Sequence, residues 1–278
     1  MRRSPVSIFT HDLVASHRLL FGEEGIFDSC EHHLQSEDIP LSEASHLLLN
    51  RCSGLLLARE ILLDADRFAA LAPEQTDFVG RNLAKAQLCL GDAILVAFRR
   101  HHWSCTQRHL RLHHLVVPEP LPWLEEIRNH HAQGVKFKLH PRQILKSPSE
   151  FEQERRALCS LALDVWLWLE NQRLGCNFSS VRDYAFYPRP KCPGASWWRN
   201  YSLNLRTFGA KAALAPLSWR YPRERLFNAL ALLLWNGEAS QEPEIVRHLQ
   251  RQLSTRLAGF CRRVQTGLAS IWLKSLEL

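Results

Sequence analysis

Apolar residues recur every three or four positions along most of this chain, a spacing that predicts helices. From Pro40 onward, Leu48, Cys52, Leu55, Leu56 and Leu62 form one stripe, with Ser42 as N-cap and Glu43 in the first turn. A second long helix opens at Pro73 and closes at the His101–His102–Trp103 cluster. Shorter helices follow over Cys105–Leu115 and Trp123–Gly134. Ser147 and Glu150 make a capping box, with Pro148 at the first helical position. Behind them Phe151, Leu158, Leu161, Val165, Trp168 and Leu169 run on one face up to Gly175. Further helices are expected up to Gly209 and from Pro222 to Gly237. In a long last helix Ile245, Leu249, Leu253, Leu257, Phe260, Val264, Leu268 and Ile271 recur. Val6–Phe9 reads as a short strand, followed by a helix ending at Gly22. Val135–Pro141 alternates, as a short strand or an extended linker would.

The pattern predicts an all-α fold: a multi-helix bundle with a second helical subdomain and at most one or two short strands. The proline-rich stretch Tyr187–Gly194 marks the boundary between them. Residues 1–40 form the lead-in, 41–186 the bundle and 187–278 a basic C-terminal subdomain.

Charge sharpens this division. The net charge is +7, yet Val181–Arg263 holds 14 Lys/Arg against 5 Asp/Glu, and the rest 21 against 23. A basic final third suits phosphate, nucleic acid or an acidic partner; a solvated arginine-rich face is the plainer account. Arg199, Arg206, Arg223 and Arg225 are its candidate basic patch, with Trp197, Trp198 and Trp219 set beside arginines as base-stacking groups would be. The eight cysteines are scattered without a C-x-x-C pair, which fits a reducing cytoplasm. The most apolar run, Ala157–Leu169, is 13 residues long and holds Asp164, too short to cross a bilayer. A soluble, cytoplasmic protein with no membrane partner is expected.

The second long helix raises the sharpest question. Arg81, Lys85 and Asp92 are spaced by four and seven residues, so one face should carry all three. Asp92 is the natural partner for Arg51 on the companion helix, and Gly91 would let that helix approach closely. The cluster is either a structural ion pair or a seam where Arg81 and Lys85 reach a phosphate.

The motifs Asn50–Leu56 (NRxxGLL) and Lys85–Leu95 (KxxLxxGDAxL), with Asn204–Gly209 and Pro222–Trp235, resemble the helical half of bacterial nucleotidyltransferase-like proteins of the DNA polymerase β superfamily. The resemblance covers Ala44–Leu112 and Asn200–Trp235. It implies a nucleotide or a partner palm subunit bound through Arg51, Arg81, Lys85 and Asp92. The catalytic palm is missing from the pattern: there is no Gly-Ser turn, and the only D-x-D, Asp64–Asp66, ends a leucine-rich helix. Mg²⁺ would therefore enter only with a palm supplied by a partner, and the chain alone is expected to be non-catalytic.

Two other chemistries bear on the same stretch of histidines and arginines. Arg108 and His113 fit the R-x₄-H motif and resemble HEPN-type helical ribonucleases, which makes them candidate catalytic residues of an RNA-acting enzyme. Among 14 histidines, four adjacent pairs and the His109/His113 spacing bring no cysteine or carboxylate at a diagnostic distance, so no metal ligand set is read. Glycine-rich phosphate loops are absent. The third reading is an RNA-binding or scaffold protein that uses the basic C-terminal third.

Overall fold

A computed structural model describes residues 1, 4–22, 25–65, 71–142, 144–192, 196–209, 217–235 and 242–253. Among them are ten α-helices and no strand: α1 (Ile8–Ser16), α2 (Leu41–Ala65), α3 (Pro73–Ala97), α4 (Cys105–His113), α5 (Leu124–Leu139), α6 (Pro148–Leu174), α7 (Val181–Phe186), α8 (Trp197–Phe208), α9 (Pro222–Trp235) and α10 (Pro243–Leu253). The all-α bundle is as expected. The positions from Leu257 to Ile271, like Asp66, lie outside the described residues.

Local chemistry explains several ends. Ser147 caps α6 through the expected box with Glu150, and Gly175 stops it in the left-handed conformation at φ 61°. At Val6–Phe9 the expected strand is instead the start of α1. Ser7 Oγ accepts from the Thr10 amide at 3.1 Å, and Thr10 Oγ1 accepts from the Ser7 amide at 2.9 Å. This capping box outweighs the apolar run. α1 then stops at Ser16, well before Gly22. α2 begins at Leu41, so Ser42 lies inside it.

α5 does not end at Gly134. It continues to Leu139, so no strand forms at Val135–Pro141. A Cβ at Gly134 would stand 2.7 Å from the Leu88 backbone nitrogen and 3.0 Å from the Ala84 carbonyl oxygen. The glycine lets the backbones of α3 and α5 touch, a benefit that offsets its ~1 kcal/mol propensity cost.

α2 and α3 form an antiparallel hairpin, with α6 packed on α2 and α5 packed on α3. Leu48, Leu55, Leu83, Leu90, Ile94, Phe151 and Trp166 are fully buried between them, and burial of each such side chain contributes ~1.5–3 kcal/mol. The Trp166 ring meets Tyr184, Phe227 and Trp235 at 5.8, 5.5 and 5.4 Å. The core is therefore continuous from α2 through α9 to α10, across the link at Tyr187. No described helix is long and apolar enough to cross a membrane.

α3 ends in a Schellman motif. Arg100 N donates to Leu95 O at 2.7 Å and Arg99 N to Val96 O at 3.0 Å. Arg99 takes the left-handed position at φ 56°, where glycine is usual. This turn directs His101 back toward α1.

Candidate functional site

The predicted seam does not assemble. Arg81 is exposed and pairs along its own helix with Asp77, Nε to Oδ2 at 2.7 Å. Lys85 is exposed, Arg51 is half-buried, and Asp92 is buried. The shared helical face holds as geometry. What changes along it is burial: Arg81 and Lys85 are exposed, while Asp92 is covered by Arg108 of α4 and His131 of α5.

Asp92 also has partners other than the expected ones. Arg108 Nε lies 2.7 Å from Asp92 Oδ1, and His131 Nε2 donates to the same oxygen at 3.2 Å. Gly91 admits α5 and α4 rather than α2, since a Cβ there would meet His131 Cδ2 at 2.4 Å and Leu112 Cδ2 at 2.6 Å. Burial pushes the Asp92 carboxyl up, but the His131 hydrogen bond and the Arg108 charge outweigh it and hold the pKa below the usual value. Arg108 is anchored further by donating to His102 O at 2.7 Å and Trp103 O at 3.0 Å. It is 4% exposed, while His113 on the same helix faces solvent. The two residues of the R-x₄-H motif do not converge.

A second buried network lies around α9. Glu224 accepts from the Lys191 and Cys192 amides and from Arg220 Nη1 at 2.5 Å. Glu170 accepts from Ser45 and twice from Arg173. Lys191, fully buried, donates to Asn228 Oδ1 at 2.7 Å and lies over the Tyr184 ring at 4.6 Å. Burial pulls its pKa down to about 8, against the raising effect of Glu224. Arg225 belongs to this network rather than to a surface patch. It is 0% exposed, donates to Gln252 O at 2.7 Å and stacks on Phe208 at 4.0 Å. Arg223, half-buried, sits beside His46.

The remaining basic candidates share one surface. On α8, Asn200 and Asn204 face inward and hold the 217–220 turn. Asn200 Nδ2 donates to Trp219 O at 3.0 Å, and Asn204 Nδ2 to Ser218 O at 3.0 Å and Arg220 O at 2.6 Å. The opposite face carries Trp198, Arg199, Ser202, Leu205 and Arg206, spaced at helical intervals and all exposed. Trp197 stacks on Trp198 at 3.7 Å, and Trp219 stands next to α8 with the Arg220 guanidinium 5.1 Å from its ring. The inward asparagines thus fix an outward platform of indoles and arginines.

A half-open cleft of about 350 Å³ lies between the C-terminal end of α3 and α6, lined by Phe98, Pro118, Leu121 and Trp168. Glu119 is the only charged residue on its wall, so it offers nothing to a phosphate.

Sequence reasoning missed one further group. His11 and Asp12 of α1 meet His101, some 89 residues away in the chain, with His101 Nε2 donating to Asp12 Oδ1 at 2.9 Å. Its only trace in the sequence was the His101–His102 pair. Comparison with protein-family models, with curated proteins and with solved structures returned no match, so the chain's own geometry carries the functional reading.

Proposed function

We propose that this protein binds single-stranded nucleic acid on the outer face of α8. One observation carries the reading: Trp198, 65% exposed, shares the outer face of α8 with Arg199 and Arg206 and stacks on Trp197, 54% exposed, while Trp219 on the adjoining turn is 44% exposed. Three indoles held in water forgo the burial that large apolar groups gain. Unpaired bases would cover them, each stack contributing ~1–3 kcal/mol, while arginines meet the backbone phosphates. The excess of 14 basic over 5 acidic residues in Val181–Arg263 supplies the surrounding attraction.

The test is an anisotropy titration of labelled oligouridine, with oligothymidine, duplex RNA and acidic phospholipid vesicles as separate arms. Single strands should bind better than duplex. Trp198→Ala should weaken binding roughly 5- to 100-fold, as one lost stack implies. Binding confined to vesicles, or untouched by Trp198→Ala, overturns the reading.

A second reading, a helical partner of a nucleotidyltransferase palm, is favoured by a separate ridge. Phe78, Arg81 and Lys85 face solvent on successive turns of α3, where another subunit could seat. Mg²⁺ and the nucleotide would then come with the palm. A thermal-shift titration of this chain with each NTP and Mg²⁺ distinguishes the two. A rise in Tm that Lys85→Ala abolishes supports the palm reading, and no rise counts against a nucleotide site on α3.

A further inference from the structure

From the geometry we infer that His11, Asp12 and His101 bind a divalent transition-metal ion of the zinc class. Among the described residues these three offer donor atoms that all lie within 4.8 Å of one another. Two donors bound at ~2.0–2.2 Å to one tetrahedral zinc-class ion stand roughly 3.4 Å apart; His101 Nε2 and Asp12 Oδ1 now share a hydrogen bond at 2.9 Å, and an ion bound to both would displace the Nε2 proton, which the unpartnered Nδ1 of the same ring can carry. The His11 and His101 rings approach at 5.6 Å, steeply inclined at 68°.

Tautomer chemistry selects the donor atom of His11. Its Nδ1 lies 2.9 Å from the His33 carbonyl oxygen. A carbonyl only accepts, so Nδ1 carries the proton and Nε2 the lone pair. That Nε2 is buried and has no hydrogen-bond partner. A backbone carbonyl on the far nitrogen is also the outer-shell contact that orients metal-binding histidines. His101 is equally buried, and its Nδ1 too lacks a partner.

Charge and access agree with a cation here. The carboxylates and guanidinium nearby are those of Asp12, Asp92 and Arg108, two acidic and one basic. Arg108 Nη1 approaches Asp12 Oδ2 no closer than 3.8 Å and is held back by its bonds to the His102 and Trp103 carbonyls. Asp12 is 34% exposed at its side chain, so it forms the door of the site, with two buried histidines behind it. Two imidazoles and one carboxylate suit zinc, iron, cobalt or nickel; calcium and magnesium prefer all-oxygen shells.

The experiment uses the full chain, stripped with chelator and titrated with Zn²⁺ by calorimetry and with Co²⁺ by visible absorption. One tight ion per chain is expected. The cobalt spectrum should show ligand-field bands without the sulfur charge-transfer band that a cysteine site gives. Asp12→Asn should weaken binding at least ~10-fold while the melting curve of the metal-free chain stays in place. His11→Gln should do the same. The exposed-histidine variant His113→Ala should leave the tight site intact. Zn²⁺ binding unchanged by both Asp12→Asn and His11→Gln, or a sulfur charge-transfer band, overturns the site.

Discussion

Around Lys191, five ionisable side chains (Glu170, Arg173, Lys191, Arg220 and Glu224) meet between α6, α9 and the loop that joins α7 to α8, and Arg225 is buried nearby on the α10 side of α9. Each holds defined partners, carboxylates on guanidiniums or amides and cations on carbonyls or aromatic faces. Around Asp92 and Asp12 the charges are also paired, yet His11, His33, His101 and His131 each keep one buried ring nitrogen without a partner. The first cluster pairs its carboxylates with guanidiniums and amides and acts as scaffold, and its own unpartnered buried atoms, Arg220 Nε and Asn228 Nδ2, are N–H donors that bind no cation. The second retains lone pairs or ring N–H groups that an ion could still use. A buried charge is costly to leave unpaired, whereas a neutral imidazole nitrogen tolerates waiting for a ligand.

The largest effect should fall on the scaffold side. Glu224→Ala removes the carboxylate facing the buried Arg220 and the acceptor of two amides, and should cost about 3–5 kcal/mol in urea unfolding. Asp12→Asn, at the partly open edge of the other cluster, should cost under ~1 kcal/mol. Equal costs would erase the contrast between the clusters.

Next come the two contact glycines. Gly134→Ala drives a methyl against the α3 backbone, and Gly91→Ala against the side chains of His131 and Leu112. Overpacking of this kind costs ~1–3 kcal/mol. Gly134→Ala should sit at the upper end, because backbone cannot rotate away. A larger loss for Gly91→Ala would mean that the His131 cluster is the more rigid of the two contacts.

The pH dependence separates the clusters again. Lys191 titrates at about 8 when folded and near ~10.4 when unfolded. Between those values the unfolded chain binds more protons, so stability should rise with pH. Wild type should gain on the order of 1–3 kcal/mol relative to Lys191→Met between pH ~8 and ~10, read from urea midpoints. Asp92 acts at the acid end. Its folded pKa is depressed, so its contribution is present above the unfolded value of ~3.9 and fades as pH falls through the folded one. A flat difference across the alkaline window would show that burial does not lower the Lys191 pKa in the folded protein.

The smallest effect concerns the turn that delivers His101. Arg99→Gly relieves a left-handed arginine and should stabilise by ~0.5–1 kcal/mol. A loss on chemical denaturation would mean that the Arg99 side chain anchors the turn.

The comparison of sequence with structure follows the same line between local and distant causes. The start and stop of α6 were legible because Ser147, Glu150 and Gly175 act within a few residues of themselves. Ser7–Thr10 obeys the same local rule, but the apolar run around it suggested a strand. Gly134 was misread for a different reason. A glycine that ends a helix and one that lets two helices touch look alike until the second helix is in place. The sequence offers Arg51 as the partner of Asp92, and only the packing of α4 against α3 brings Arg108 to it instead. The seam residues and the R-x₄-H pair failed to converge for the same tertiary reason. Arg199 and Arg206 did stay at the surface, because the asparagines on the other side of α8 take the inward positions.

The central claim is that α8 presents phosphate-contacting arginines beside stacking indoles. It is tested most directly by the salt dependence of oligouridine binding for wild type, Arg199→Ala, Arg206→Ala and the exposed control Arg156→Ala on α6. Each α8 variant should reduce the slope of log K against log salt by about 0.7, the loss of one single-strand phosphate contact, while Arg156→Ala leaves it unchanged. Equal slopes in all four proteins, or no oligouridine binding by wild type at low salt, would contradict the account.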